Sequence, residues 1–97
     1  MYLTIREYRV PAGQVEEVAR RVDDDWLDRI RVLPGFLSYQ VVRTGHEQLV
    51  SLAAFIDEAH AQGGAEASAE WVGERLSDLD VEFVQMRQGP VLVHGGE

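Results

Sequence analysis

The chain contains no cysteine, no lysine and only three prolines. Without cysteine there are no disulfides, thiol nucleophiles, iron–sulfur clusters or cysteine-bound zinc. All nine basic residues are arginines, so Schiff-base catalysis and phosphate binding built on a lysine are excluded. Basic charge is also in deficit. Nine arginines against 17 acidic residues leave 9 − 17 = −8, and a nucleic-acid backbone or an anionic membrane surface repels such a chain on average. No nucleic-acid partner is expected. There is no apolar run of about 18 residues and no signal-like start, which points to a cytoplasmic protein with no membrane partner. Gly-x-Ser-x-Gly, Gly-x-Gly-x-x-Gly and Walker patterns are missing too, which removes serine-hydrolase and nucleotide-binding readings.

Metal-ligand patterns are equally scarce. His46, His60 and His94 show none of the close spacing of zinc ligands. Asp23, Asp24 and Asp25 point about 100° apart on a helix, so they do not converge on one ion. No metal is expected. What remains is 97 residues, 45% of them hydrophobic, enough for one domain over 1–97 and no more. A chain this short buries only about 60–70% of its unfolded surface, which makes self-association a natural source of stability.

Alternation over 2–10 gives a first strand, ended by Pro11-Ala12-Gly13. From 14 to 33, Val15, Val18, Ala19, Val22, Trp26, Ile30 and Leu33 fall within about 60° of one line at 100° per residue, which predicts a helix stopped by Pro34-Gly35. Glu16/Arg20, Glu17/Arg21 and Asp25/Arg29 are spaced to pair on its solvated side. The runs 36–43 and 49–56 form a hairpin with Gly45 in the turn. A second helical region spans 57–79, with Asp57 as N-cap, Gly63-Gly64 as a break, and a buried stripe of Ala65, Ser68, Ala69, Val72, Leu76 and Leu79. Trp71 projects about 100° from that stripe, beyond the reach of the parent sheet. Residues 81–88 make a fourth strand. Val91-Leu92-Val93 reads as an edge or an arm pairing elsewhere, and 94–97 as a flexible tail.

The order strand, helix, strand, strand, helix, strand with right-handed crossovers is the α+β ferredoxin-like βαββαβ arrangement, a four-stranded antiparallel sheet with two helices on one face. Both hairpin runs carry apolar residues at both parities, so the second sheet face also needs a cover. The expected lining of that open face includes Tyr2, Thr4, Arg6 and Tyr8. Two subunits joined sheet to sheet, as a homodimeric barrel, supply the cover.

Arg9-Val10-Pro11-Ala12-Gly13, the first helix, the segment Leu33-Pro34-Gly35-Phe36-Leu37-Ser38-Tyr39-Gln40-Val41-Val42-Arg43 and the transition Phe55-Ile56-Asp57-Glu58-Ala59 resemble the dimeric α/β-barrel superfamily containing the antibiotic biosynthesis monooxygenase domains. The resemblance spans nearly the whole chain, and its most specific motif is the Pro-Gly-Phe turn. It implies a homodimer using the cleft between sheet and helices for a small hydrophobic or aromatic ligand. Some members oxidise quinol-type substrates with neither metal nor flavin, others degrade heme, and others have no known chemistry. In the heme branch, a first-strand asparagine falls at Arg6 here, a third-strand tryptophan falls at Phe55, and no histidine stands near 68–75 for the axial position.

The candidate catalytic residues are Arg6 and Tyr8, a guanidinium and a phenol suited to stabilising an enolate-like anion, together with His60, whose type suits proton transfer at neutral pH. Phe55, Trp71 and Met86 are candidates for an aromatic and thioether wall around a flat ligand. Each has a plainer reading: Arg6 and Tyr8 filling an interface, His60 exposed on its helix, Trp71 anchoring a partner subunit. The leading function is a cofactor-free monooxygenase. A non-catalytic ligand-binding or accessory dimer is second, and heme binding third.

Overall fold

The computed structural model describes residues 1–96. Four strands, β1 (Tyr2–Arg9), β2 (Phe36–Gly45), β3 (Gln48–Phe55) and β4 (Glu82–Pro90), form one sheet in the order β2-β3-β1-β4. Every neighbouring pair is antiparallel. Helix α1 follows β1 and α2 (Glu58–Arg75) follows β3, so the ferredoxin-like arrangement stands.

Helix α1 occupies 15–30 behind a short 3₁₀ turn, Ala12–Gln14. Its middle, Val22–Trp26, is a π-helical turn in which the Leu27 amide donates to the Val22 carbonyl, five residues back. The turn has a visible cause. Val18, Val22, Trp26 and Ile30 recur every four residues, a spacing that drifts about 40° per step on a regular helix. A wider turn takes up the drift, and Val18, Trp26 and Ile30 are all buried. Ala19, expected inside, is exposed. Glu17–Arg21 and Asp25–Arg29 pair as expected. Arg20 pairs with Glu17 and Asp24 instead of Glu16.

Helix α2 corrects two expectations. Asp57 does cap it, accepting from the His60 amide at 2.9 Å, yet the helix runs through Gly63-Gly64 without a break. Its buried line is Ala61, Gly64, Ser68 and Trp71, rotated from the predicted stripe so that Trp71 lies inside. Gly64 is there for clearance. A Cβ at this position overlaps the Phe55 ring, with Cε1 only 2.5 Å away, so glycine lets the helix rest on the sheet at Phe55.

The sheet faces are also reversed from expectation. Thr4, Arg6 and Tyr8 are buried under the helices, in register with Ala53, Ser51 and Leu49 of β3. Leu3 and Ile5 occupy the opposite face with Val50, Leu52 and Val42 of the neighbouring strands. β1 thus turns its polar parity inward and its apolar parity outward. At the C-terminus the Val91 amide donates to the Met1 carbonyl at 2.9 Å, and Leu92 and Val93 are exposed without strand pairing. Of the expected flexible tail, Glu97 lies outside the described residues.

Candidate functional site

Strand alternation places Thr4, Arg6 and Tyr8 in a row about 7 Å apart beneath the helices. Arg6 is 9% exposed. Its Nε donates to the Tyr8 phenol oxygen at 2.7 Å, its Nη1 approaches the Met86 sulfur at 3.7 Å, and the guanidinium stacks 4.6 Å from the Phe83 ring centroid. Among the described residues it has no carboxylate within 4.0 Å, whereas Arg9, Arg20, Arg21, Arg29, Arg31 and Arg75 all do. Burying a cation without a counter-ion is costly. The thioether and the aromatic faces soften that cost but leave hydrogen-bonding capacity on the guanidinium unused.

Three spaces adjoin this row. Between the sheet and both helices lies an enclosed apolar cavity of about 30 Å³, with Tyr8, Tyr39, Trp26 and Trp71 in its walls. Trp26 and Trp71 stack at 5.7 Å, and Trp26 meets Tyr39 edge to face. The Trp71 indole donates to Asp25 Oδ2 at 2.8 Å, which ties α2 to the π-helical turn of α1. That bond, with help from Arg29, holds the Asp25 carboxyl below the usual carboxylate range. Burial, reinforced by the neighbouring Tyr8, pushes the Tyr39 phenol up to about 12. The second space is an open groove between β4 and α2 of about 530 Å³, lined by Arg6, Tyr8, Ala69, Gly73, Phe83 and Met86. The third is a hole of about 10 Å³ under Gly64.

The structure therefore brings Arg6, Tyr8 and Met86 together on the groove. It seats Trp71 in the cavity wall and Phe55 at the hole. His60 stands apart. Its ring packs over Gly35, where a Cβ comes within 2.7 Å of the imidazole, and its Nδ1 lies 2.6 Å from Asp57. Gly35 itself needs glycine for a second reason, a backbone φ of +76°. Among the described residues no histidine and no carboxylate lines the cavity, the groove or the hole, and no cluster of three metal-ligating side chains occurs. No helix is long and apolar enough to cross a membrane. The sequence pattern did not single out Tyr39, Trp26 and Phe83 as site residues, and it grouped Thr4 with Arg6 and Tyr8 on one sheet face without giving it a role.

The antibiotic biosynthesis monooxygenase family profile matches residues 1–71, and the chain belongs to that family. No curated protein matches it in sequence. Among solved structures, the ActVA-Orf6 monooxygenase of Streptomyces coelicolor in complex with nanaomycin D is similar at 18% identity and a TM-score of 0.71, covering 99% of this chain and 89% of that one. The heme-degrader MhuD from Mycobacterium tuberculosis, with two hemes in its active site, is similar at 22% identity and 0.74, covering 99% and 100%. A dimeric ferredoxin-like protein from an uncultured marine organism is similar at 13% identity and 0.76, covering 99% and 98%.

Proposed function

We propose that this protein is a cofactor-independent oxygenase acting on a flat, acidic phenol or enol, which it binds as the anion on Arg6. One observation carries the reading: a guanidinium that is 9% exposed, without a carboxylate partner among the described residues, and at the wall of a groove of about 530 Å³. That volume falls within the range of small-molecule sites, and Phe83 and Met86 give it a face for an aromatic ring. Arg6 offers the ligand oxygen its unused N–H groups. Tyr8, whose oxygen accepts from Arg6 Nε, keeps its own proton to donate.

With neither histidine nor carboxylate in the walls, no side chain is equipped as a strong general base. The substrate must therefore be acidic enough to ionise when Arg6 receives its oxygen. Its carbon then gives an electron pair to dioxygen, the resulting hydroperoxide loses water, and R₂CH₂ + O₂ becomes R₂C=O + H₂O. Protein groups supply orientation and charge stabilisation. The missing base also favours a second reading, a binding protein that holds such an anion without oxidising it. Heme ranks below both, since none of the three histidines reaches the cleft.

The working form is a homodimer in which a second copy covers Leu3, Ile5, Val42, Val50 and Leu52. Val42 is exposed and the other four are half-buried in the single chain, and apolar side chains grouped on one sheet face mark an interaction surface.

Two measurements test the proposal. Anaerobic absorbance titration with an anthrol-type phenol should show the phenolate band on binding, and Arg6→Met should weaken phenolate binding about 10- to 100-fold, the worth of one charge-assisted hydrogen bond. Oxygen uptake with the same phenol separates the readings. Tight phenolate binding without uptake supports the binding protein, and unchanged affinity in Arg6→Met removes Arg6 from either.

A further inference from the structure

The register of the edge strand holds Met86 against Arg6. The two residues are direct partners in the β1–β4 pairing, so both side chains stand on the helix side of the sheet. An extra residue, Val84, enters β4 where the register shifts beside Tyr8, and it brings Phe83 onto that same face although Phe83 and Met86 are of opposite parity. The Met86 sulfur lies 3.7 Å from Arg6 Nη1. A thioether is a weak acceptor, so this contact leaves the N–H groups of the guanidinium underused. Met86 is also 39% exposed and lines the open groove, within reach of a small solute.

We infer that Met86 is an oxidation site through which hydrogen peroxide closes the anion site on Arg6. The inference rests on the reading of Arg6 as the anion-binding group and adds to it a modification that blocks that group. The sulfur's electron pair attacks one oxygen of the peroxide, an S–O bond forms, and the O–O bond breaks with departure of hydroxide. The proton left on the new S–O–H group passes to that hydroxide as water, so sulfur is oxidised by two electrons and peroxide is reduced to water. Arg6, beside the sulfur, is placed to stabilise the departing hydroxide. The product is a different kind of acceptor. A sulfoxide oxygen is polar and sits on a flexible side chain, and when turned to Arg6 it takes the N–H groups that a phenolate would use. No bond of Arg6 changes, and reduction by a methionine sulfoxide reductase reopens the site.

Titration of the folded protein with hydrogen peroxide, mapped by peptide mass spectrometry, should oxidise Met86 several-fold faster than Met1, which is 46% exposed and stands about 16 Å along the chain from Arg6. Anaerobic affinity for an anthrol-type phenolate should fall about 10- to 100-fold as the Met86 sulfoxide accumulates, the range for a hydrogen bond to a charged group, and a sulfoxide reductase should restore it. In Met86→Leu the affinity should not respond to peroxide. In Met86→Gln, whose amide oxygen imitates the sulfoxide, it should be low from the start. Oxidation of Met1 at an equal or higher rate, or unchanged affinity with Met86 fully oxidised, overturns the proposal. The guanidinium ¹⁵N resonances of Arg6, identified by their loss in Arg6→Met, should move on oxidation with no ligand present. If wild type binds no phenolate while that shift is seen, the contact between sulfoxide and Arg6 stands and the anion-site reading falls.

Discussion

Adjacent glycines in α2 should respond oppositely to the same methyl group. At Gly63 a Cβ meets nothing within 4 Å, so Gly63→Ala gains the helix-propensity difference, about 1 kcal/mol. At Gly64 the same gain is opposed by overlap with the Phe55 ring, whose Cε1 and Cε2 lie 2.5 and 3.2 Å from the ideal Cβ. Phe55 is fully buried and packs edge to face on Phe36, and the hole of about 10 Å³ beside it is too small to take a displaced ring. Either α2 lifts from β3 or the Phe36–Phe55 pair is displaced. Overpacking of this kind costs typically about 1–3 kcal/mol, and an overlap this deep belongs near the top of that range. Gly64→Ala should therefore lose about 2 kcal/mol net while Gly63→Ala gains about 1, a separation of about 3 kcal/mol. Urea unfolding followed by tryptophan fluorescence, at one fixed protomer concentration because a dimer's stability depends on it, measures both. Equal midpoints for the two variants would refute the close approach of α2 to the sheet. With it would go the hole that Gly64 and Phe55 enclose.

Three further outcomes follow from the same fold. Arg6→Met should raise the stability of the ligand-free protein by about 1–2 kcal/mol, because it exchanges an unpaired buried charge for an apolar side chain; calorimetry decides, and a clear loss would mean that Arg6 is already satisfied. Leu52→Glu places a charge in the half-buried apolar band and should raise the dissociation constant of the proposed dimer by about 100-fold in sedimentation equilibrium; a wild type that stays monomeric at high concentration removes the shared-barrel reading. Acid should lower stability modestly through exposed carboxylates held below their ordinary range: Glu17, lowered to about 2 by its bonds to Arg20 and Arg21, with Asp25, Asp57 and Asp78 lowered in the same direction. Because the folded values are the lower ones, this stabilisation is complete above about pH 5 and is lost as pH falls toward about 2. Tryptophan fluorescence should report it at Asp25, whose partner is Trp71. A transition unchanged in Asp25→Asn would exclude that bond from the acid response.

The element order was legible because its punctuation is local. Pro11-Ala12-Gly13, Pro34-Gly35 and Asp57 act through φ restriction, turn geometry and capping, none of which depends on the rest of the fold. What misled was whatever depends on packing. Gly63-Gly64 reads as a helix break on propensity alone, yet Gly64 is set by a phenyl ring 9 residues earlier in sequence. The stripe on α2 was misplaced because the helix is rich in alanine and glycine, so its apolar pattern is faint and Trp71 carries most of the choice. The π-helical turn in α1 shows in sequence only as repeated spacings of four, which a regular helix tolerates for a turn or two before they drift.

The inversion of β1 is the most informative misreading. A strand alternating Leu3, Ile5 with Thr4, Arg6, Tyr8 ordinarily sends the aliphatic parity under the helices and the polar parity to water. Here the reverse holds, and each half of the inversion underlies a different part of the proposed function. Outward Leu3 and Ile5 belong to the apolar band that the proposed second subunit would cover, while inward Arg6, Tyr8 and Thr4 place a charge, a phenol and an unpaired hydroxyl beneath the helices. Neither half is stable alone: the buried charge costs energy without an anion, and the exposed band costs energy without a partner. On the proposed function, the alternation of one strand thus links association to chemistry. A substitution that restored ordinary polarity, turning aliphatic side chains inward, would relieve the first cost and empty the site of its donors.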